Sequence, residues 1–256
     1  MRNVVYFLGA GPGDPELITL KAYKILKMAD VVLLADSLVP NEILQYCSER
    51  AEIIPTSPLT LEEIVSLIKQ KHHQGLKIAR LHSGDLSLYS AVYEQITLLT
   101  KEGIFCELVP GISAYQAAAA KLGVELTVPY LVQTVILTRV AGTSSPMPPG
   151  EELATLASHR ASLCLHLAAK HVTQCQQELL QHYPPDTPVA ICHRVGWPDE
   201  RIVIVPLTAM AQTTKEYGLT RHTLYIVSPA LQQHDNINGH RSHLYHPQYG
   251  HRFRSS

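Results

Sequence analysis

Residues 4–14 have the sequence VVYFLGAGPGD, a run of apolar and β-branched residues that passes directly into a loop with three glycines. A short apolar run bounded by turn residues predicts a buried strand. Leu17, Leu20, Ile25 and Met28 follow at roughly helical spacing. Strand, loop and amphipathic helix in this order indicate an α/β protein with a mainly parallel sheet.

The same alternation continues along the chain and begins again after Gly123. Strands are predicted at Val4–Leu8, Val31–Ala35, Ile53–Ile54, Lys77–Leu81 and Phe105–Val109, and then at Thr134–Thr138, Ser162–Leu167, Pro188–Cys192, Arg201–Val205 and Thr223–Val227. The last three follow one another with little helix between Cys192 and Arg201, which favours a mixed second sheet. We therefore expect two α/β domains, residues 1–122 with a mainly parallel sheet and residues 123–231 with a mixed sheet, followed by a polar His-rich tail at residues 232–256.

The composition narrows the class of function. The chain of 256 residues is 46% hydrophobic and 17% charged, with a formal net charge of −1, so we expect no nucleic-acid partner and no acidic membrane surface. No apolar run reaches the length of a membrane span or a signal peptide, and we expect a cytoplasmic protein. The five cysteines are scattered and the fourteen histidines lack zinc-site spacing, so no metal centre is expected. Hydrolase motifs are absent from the sequence.

Three glycine-bearing loops are predicted at the carboxyl ends of strands. They are Gly9–Asp14, Ser83–Asp85 and Pro110–Ala114. In an open parallel sheet, ligands bind in the crevice beyond these ends, and small residues let backbone groups reach the ligand. The first loop departs from the dinucleotide-binding pattern, because Pro12 removes an amide donor and Asp14 replaces the third glycine. The loops favour a cleft for another kind of ligand, although tight turns, with Asp14 capping the helix, would explain each loop alone.

Four segments, in order, resemble the tetrapyrrole methylases, the family that methylates uroporphyrinogen and its corrin successors. They are Val5–Pro15, Asp36–Val39, His82–Asp85 and Val109–Ser113. Further segments resemble one corrin-methylating branch of that family, and these are Gln133–Arg139, Met147-Pro148, Arg194 with Trp197–Glu200, and Thr220-Arg221. The resemblance covers about residues 4–231. It implies a two-domain fold that holds S-adenosylmethionine (SAM) between the domains, S-adenosylhomocysteine (SAH) as product, a trough for a tetrapyrrole substrate, and a homodimer.

The resemblance also implies site residues. Cofactor contacts are expected at Pro12, Ser83, Gly84, Asp85, Leu88, Ser113, Ala114, Leu167, Val195 and Thr223. Asp36 matches a strand-end acid proposed as the proton acceptor in uroporphyrinogen-methylating relatives, and Asp14 is a second candidate for the same role. The lysine proposed there as proton donor has no counterpart near Thr56.

Arginines are expected to bind the substrate, because the carboxylates of a tetrapyrrole suit bidentate guanidinium partners. The candidates are Arg80, Arg139, Arg194 and Arg221. Each of them could equally belong to a structural ion pair. The family usually has Gly-Asp-Pro-Ser-Leu-Tyr-Gly where this chain has Leu86 and Ser90, and we expect a less preorganised loop there.

Two other classes of function stay open. One is a diphthine synthase-like protein methylase with the same fold and cofactor, which Gln133–Arg139 and the Trp197 motif disfavour. The other is a tetrapyrrole carrier without catalysis. The sequence also leaves open whether the substrate contains cobalt. The tail is interpreted as a disordered end, a metal-binding tract or an arm over the substrate, and the spacing of Tyr245, Tyr249 and Phe253 favours the arm.

Overall fold

The computed structural model describes residues 4–142, 146–235, 250 and 252. The chain divides into two compact units, the first formed by Met1–Ala117 with Arg194–Asp199, and the second by Ala118–His193 with Glu200–Ser256. A short segment from the second half of the chain thus belongs to the first unit. Most of the predicted tail lies outside the described residues.

The sheet of the first unit is parallel throughout. Its strands are β1 (Val4–Gly9), β2 (Val31–Leu34), β3 (Glu52–Pro55), β4 (Ile78–His82) and β5 (Phe105–Val109), in the spatial order β3-β2-β4-β1-β5. Leu8 of β1 lies opposite both Leu81 of β4 and Val109 of β5. Every residue of β2 and β4 is buried, as expected when helices cover both faces of a parallel sheet. The predicted parallel N-terminal sheet is confirmed.

Helices form two separate cores with the two faces of this sheet. They are α1 (Leu20–Leu26), α2 (Leu61–His73) and α3 (Val92–Lys101). The chain also has 3-10 turns at Pro15–Leu17 and Asn41–Tyr46, and helix α4 (Ala114–Leu122) follows β5. Leu8 belongs to the same core cluster as Leu26 of α1, whereas its neighbour Phe7 packs with Ile68 of α2 and Leu99 of α3. This division follows from the alternation of side chains along a strand.

The sheet of the second unit is mixed. It contains β6 (Val135–Arg139), β7 (Ser162–His166), β8 (Pro188–His193), β9 (Arg201–Pro206) and β10 (Thr223–Val227), in the order β6-β7-β10-β8-β9. Only the β6–β7 pair is parallel among these described strands. The mixed sheet predicted for the C-terminal half is therefore confirmed.

Short helices cover the second sheet. They are α5 (Leu153–Ala157), α6 (Val172–Leu179) and α7 (Met210–Glu216), with 3-10 turns at Ala169–His171, Leu207–Ala209 and Pro229–Asp235. Leu179, Met210 and Tyr225 are fully buried in one core cluster. Within the described part of the chain, no helix is long and apolar enough to cross a membrane.

Helix α2 begins with a capping box formed by Thr60 and Glu63. The Thr60 hydroxyl oxygen accepts from the Glu63 amide at 3.3 Å, and the Glu63 carboxylate accepts from the Thr60 amide at 2.7 Å. We predict that Thr60→Ala lowers the free energy of unfolding by about 1 kcal/mol, because a helix-end amide loses its acceptor. Thr60→Ser retains the oxygen and should unfold close to wild type in urea. Equal stability of Thr60→Ala and wild type would contradict the capping role.

Candidate functional site

The loops that follow β1 and β4 are joined through their backbones. The Gly84 amide donates to the Gly11 carbonyl at 2.7 Å, and the Gly11 amide donates to the Gly84 carbonyl at 3.3 Å. The Ala10 amide donates to the His82 carbonyl at 2.7 Å. The neighbouring strands β1 and β4 thus end in one hydrogen-bonded structure at the carboxyl edge of the sheet.

Glycines make this approach possible. A Cβ atom on Gly111 would lie 2.2 Å from the Gly84 carbonyl oxygen, and one on Gly9 would lie 2.5 Å from the Gly111 nitrogen. Both distances are too short for any real side chain. Gly84 differs, since its φ is +64° and no atom of the described residues lies within 4 Å of its Cβ position. The loops are closely packed on one another but leave space at Gly84 for an approaching ligand.

The carboxylate of Asp85 connects the second loop to the third. One oxygen accepts from the Gly111 amide at 3.1 Å, and the other accepts from the Ser87 amide at 2.9 Å and from the Ser87 hydroxyl. Desolvation by burial raises the pKa of Asp85, but the hydrogen bonds from Ser87 and Gly111 outweigh it and leave the pKa below its ordinary value. The ionised carboxylate of Asp85 therefore links the loops after β4 and β5 through hydrogen bonds.

Most of the predicted cofactor residues of the first unit lie in these loops. Pro12 follows β1. Four residues follow β4, and they are Ser83, Gly84, Asp85 and Leu88. Ser113 and Ala114 lie where the chain leaves β5 and enters α4. Because β4, β1 and β5 are adjacent in the sheet, the structure brings these residues to one edge.

The segment Arg194–Asp199 packs on the first glycine loop. A Cβ atom on Gly13 would lie 2.4 Å from Cδ1 of Trp197 and 2.6 Å from the Val195 carbonyl oxygen. The Trp197 indole N–H donates to the Pro12 carbonyl at 3.2 Å. Val195, one of the predicted cofactor residues, is thereby buried beside this loop. In the sequence Trp197 is only a family signature, and no local pattern indicates this contact.

In the second unit, Leu167 and Thr223 lie at one end of the sheet. Strands β7 and β10 are antiparallel with Leu165 opposite Tyr225, so both residues fall at the carboxyl end of β7. Leu167 is 66% exposed and has a φ of +56°, a backbone conformation that is costly for a bulky residue and is common at binding sites. The buried Thr223 hydroxyl lies 3.2 Å from Nδ1 of His193. Their contact with a cofactor stays a prediction.

Arg80 has an interior position. It is 4% exposed, and its guanidinium donates to the Gln95 side-chain oxygen at 3.4 Å and to the carbonyls of Leu33 and Leu81 at 3.4 Å and 3.3 Å. Burial lowers the pKa of Arg80 to about 10, although the charge of Asp36 opposes the shift. Arg80 is thus held by an amide oxygen and two carbonyls and not by the ion pair considered as the alternative, and its contact with a substrate stays a prediction.

The other three candidate arginines are placed differently. Arg139 donates to the carbonyls of Val140 at 3.0 Å and Pro146 at 3.2 Å. The Arg194 guanidinium lies 4.1 Å from the Trp197 ring centroid, and its Nε lies 2.9 Å from the Asp199 carboxylate. Arg221 is exposed just before β10. Of the four, Arg221 has the position best suited to meet a ligand carboxylate.

The two candidate acids have structural partners. Oδ1 of Asp36 accepts from the amides of Thr56 at 3.0 Å and Ser57 at 2.9 Å, and Oδ2 accepts from the Ser57 hydroxyl at 2.7 Å. The hydrogen bond from the Ser57 hydroxyl is the main cause of a pKa of Asp36 below its usual value. A carboxylate with a lowered pKa is a weak proton acceptor. Asp14 accepts from the Glu16 amide at 2.9 Å and caps the 3-10 turn. The following helix α1 is capped by Thr19 instead, whose hydroxyl oxygen accepts from the Ala22 amide at 3.3 Å.

His82 ends β4 beside the glycine loops. Burial, with a smaller contribution from the Arg80 charge, lowers the pKa of His82 to about 3, although a hydrogen bond with the backbone of Ser90 opposes the shift. The ring is therefore neutral at physiological pH. In the described ranges, no group of three or more His, Cys, Asp or Glu side chains could hold a metal ion.

Comparison with known proteins identifies the class. Residues 4–211 match the model of the Tetrapyrrole (Corrin/Porphyrin) Methylases, and the chain belongs to this family. It is 44% identical over 250 residues to the precorrin-4 C(11)-methyltransferase of Pseudomonas aeruginosa, covering 98% of each chain. Among solved structures, it is similar to a cobalt-precorrin-4 methyltransferase, a cobalamin biosynthetic enzyme, with a TM-score of 0.86 and 38% identity over 89% of this chain and 95% of that one.

A third relative was solved with a ligand. The uroporphyrin-III C-methyltransferase from Thermus thermophilus, complexed with S-adenosylhomocysteine, has a TM-score of 0.74 and 28% identity over 91% of this chain and 94% of that one. The family resemblance found in the sequence is therefore confirmed.

The Asp36 contacts lead to a prediction about stability and pH. Asp36→Asn should lower the free energy of unfolding at pH 7 by about 1–2 kcal/mol, because three donors lose a charged acceptor. The lowered pKa means that the carboxylate stabilises the fold above the unfolded-state pKa of about 4 and that this stabilisation is lost as the pH falls through the folded-state value. The difference between variant and wild type, measured in urea, should therefore shrink below about pH 4.

Asp186→Asn, at an exposed turn, is the matched control. It should unfold like wild type both at pH 7 and below about pH 4. A variant Asp36→Asn with unchanged stability but reduced turnover would instead support the proton-acceptor role.

Proposed function

We propose that this protein is a SAM-dependent C-methyltransferase that methylates C11 of precorrin-4 or cobalt-precorrin-4 in cobalamin biosynthesis. The observation that carries the proposal is the 44% identity to a precorrin-4 C(11)-methyltransferase over 98% of both chains. The packed glycine loops at the carboxyl edge of the first sheet supply a ligand site of the kind that such an enzyme needs.

The loops fit a cofactor such as SAM. The space at Gly84 lets a ligand approach the backbone closely, and the hydroxyls of Ser83 and Ser113 can bond to the polar groups of a nucleoside or an amino acid. We assign cofactor contact in the first unit to Pro12, Ser83, Gly84, Asp85, Leu88, Ser113, Ala114 and Val195. Leu167 and Thr223 are the corresponding candidates in the second unit. The SAH complex of a relative supports this choice of cofactor.

When bound, SAM supplies a methyl group on a sulfonium, which is a good leaving group. The chain therefore needs no nucleophilic side chain of its own, and its main contribution is to position the reactants, an effect that can account for much of a rate enhancement. The methylated ring carbon bears no hydrogen, so the proton that balances methyl transfer has to leave another position of the macrocycle. Because the carboxylate of Asp36 is held by Thr56 and Ser57, we assign it first to the organisation of this strand end, and proton transfer by Asp36 or Asp14 is the alternative.

The carboxylates of a tetrapyrrole require cationic partners. Our candidates for this role are Arg221, Arg194 and Arg139, since Arg80 is buried in the first unit. A planar guanidinium can bind a carboxylate through two parallel hydrogen bonds.

We further propose that the protein is a cytoplasmic homodimer. Large apolar side chains are exposed on α3 and β5 of the first unit, with Tyr93 82%, Phe105 51% and Leu108 48% accessible. Tyr93 and Leu108 line the same groove, and an exposed apolar surface of this kind is typical of an interface between subunits.

The direct test uses labelled SAM with metal-free and cobalt-loaded precorrin-4 in parallel. The expected product carries one additional methyl group, located at C11 by NMR. Methylation of one form alone would define the metal state of the substrate. Transfer to a protein side chain, with none to either tetrapyrrole, would support a diphthine synthase-like activity instead, and SAH binding without any transfer would support a carrier.

We predict that glycine substitutions separate cofactor binding from folding. Gly84→Val should weaken SAH binding in calorimetry by about tenfold or more, because a branched side chain fills the open space at the loop. Gly111→Val should also lower the melting temperature, because its side chain would collide with the Gly84 carbonyl, 2.2 Å from the Cβ position.

Gly75→Val is the matched control for Gly84→Val. Gly75 has a φ of +77° and open space at its Cβ position, so it carries the same backbone strain outside the glycine loops. SAH affinity that falls equally in both variants would attribute the effect to strain and contradict the assignment of Gly84.

Arg221→Gln should raise the KM for the tetrapyrrole by about tenfold or more, because a charged hydrogen bond to a carboxylate is lost. SAH affinity should stay unchanged. Arg160→Gln, at another exposed arginine of the second unit, is the control. An unchanged KM in Arg221→Gln would remove Arg221 from the substrate site.

A further inference from the structure

Trp197 is in contact with the glycine loop that follows β1, although it lies far away in the sequence. Its indole N–H donates to the Pro12 carbonyl at 3.2 Å. We propose that Trp197 is a positioning residue that fixes this loop in the conformation that receives the cofactor. The inference rests on the proposed function, since it concerns the SAM site of that enzyme.

The loop needs support from outside itself. Residues 9–13 are Gly-Ala-Gly-Pro-Gly, and glycine-rich backbone loses more conformational entropy on ordering than any other. The first half of the loop is fixed by the β4 loop, through the amides of Ala10 and Gly11. Pro12 has no N–H with which to continue that pattern. Its carbonyl is instead the acceptor of the Trp197 indole, which supports the second half.

The contact is also sterically specific. Gly13 leaves room for the indole, since a Cβ atom there would lie 2.4 Å from Cδ1 of Trp197. Gly196 leaves room in the opposite direction, since its Cβ would lie 2.5 Å from the Asp14 nitrogen. The two backbones approach each other closely at glycines on both sides. Such an arrangement fixes the separation of the two segments as well as their orientation.

Other members of the segment hold the indole in place. The Arg194 guanidinium lies 4.1 Å from the centroid of the indole ring, a cation–π contact, and its Nε lies 2.9 Å from the Asp199 carboxylate. The Trp197 amide donates to the Arg194 carbonyl at 2.9 Å and closes a turn. Contacts within the chain therefore orient the N–H toward Pro12, and such intrachain restraint reduces the entropy lost on binding.

The test separates the hydrogen bond from the packing. Trp197→Phe keeps an aromatic ring beneath Arg194 but removes the donor, and its SAH dissociation constant should rise by about three- to tenfold in calorimetry. Trp197→Ala, which also removes the packing, should show a larger rise. In both variants the KM for SAM should rise while kcat at saturating SAM stays near wild type, because the loop is ordered once the cofactor is bound.

The control is a second cation–π pair. In the second unit, the Arg201 guanidinium lies 4.6 Å from the Tyr217 ring centroid, and Tyr217→Leu removes this contact. Its SAH affinity should equal that of wild type. Wild-type affinity in both Trp197 variants would overturn the positioning role and leave the proposed function intact. A fall in kcat equal to the fall in affinity, with a lowered melting temperature, would assign Trp197 to folding alone and also overturn it. Absence of SAH binding to the wild-type protein would overturn both proposals.

Trp197 also provides a direct readout, since it is the single tryptophan in the chain. Its fluorescence should change on titration with SAH, and quenching by acrylamide should decrease, because a ligand bound against the loop shields the indole in contact with that loop from solvent. Emission and quenching that do not respond to saturating SAH would count against the proposal.

Discussion

The exchange of backbone hydrogen bonds between Gly11 and Gly84 is the contact on which the candidate site depends. It requires the chain to leave two adjacent parallel strands and bring their loops within bonding distance, which a side chain on Gly9 or Gly111 would prevent. The buried strands β1 and β4 set the separation of the loop ends, and the glycines allow the final approach. Asp85 then adds the loop after β5 through the Gly111 amide. The packing of β1 and β4 that stabilises the first unit thus also determines the shape of the site.

The fold could be predicted from the sequence because local patterns and long-range pairing agree. Each of the ten predicted strands is present, and the largest differences are one or two residues at the ends, as for β2 (Val31–Leu34) and β3 (Glu52–Pro55). Apolar β-branched runs between turn residues leave few alternatives to a buried strand. The capping box of α2 was predictable for the same reason, since both partners lie within one helical turn. The membership of Arg194–Asp199 in the first unit has no such local signal, because it depends on contacts between distant segments.

The positions of the site loops were predictable, but the roles of charged residues were less so. Arg80 occupies a buried strand position and its side chain finds Gln95 and two carbonyls, yet a sequence shows only that an arginine is present. Asp36 has the type and position of a proton acceptor, whereas its environment keeps the carboxylate ionised and fully engaged. Burial and hydrogen bonding decide these roles, and both are properties of the folded chain. Family resemblance identifies a candidate residue and its position in the sequence. The structure shows the hydrogen-bond partners that determine what this residue can do chemically.

The loop after β4 shows how a departure from the family pattern is accommodated. Leu86 replaces a proline there, which frees one backbone angle, and Ser90 replaces a glycine. In the structure the Ser90 hydroxyl donates to the Leu86 carbonyl, so the second replacement restrains the turn that the first would loosen. The Asp85 bonds to Ser87 restrict the same turn from its other end. Side-chain hydrogen bonds cost more entropy to form than a proline ring, but they can be broken and remade. Under the proposed function this property suits a loop that admits and releases a cofactor in each catalytic cycle.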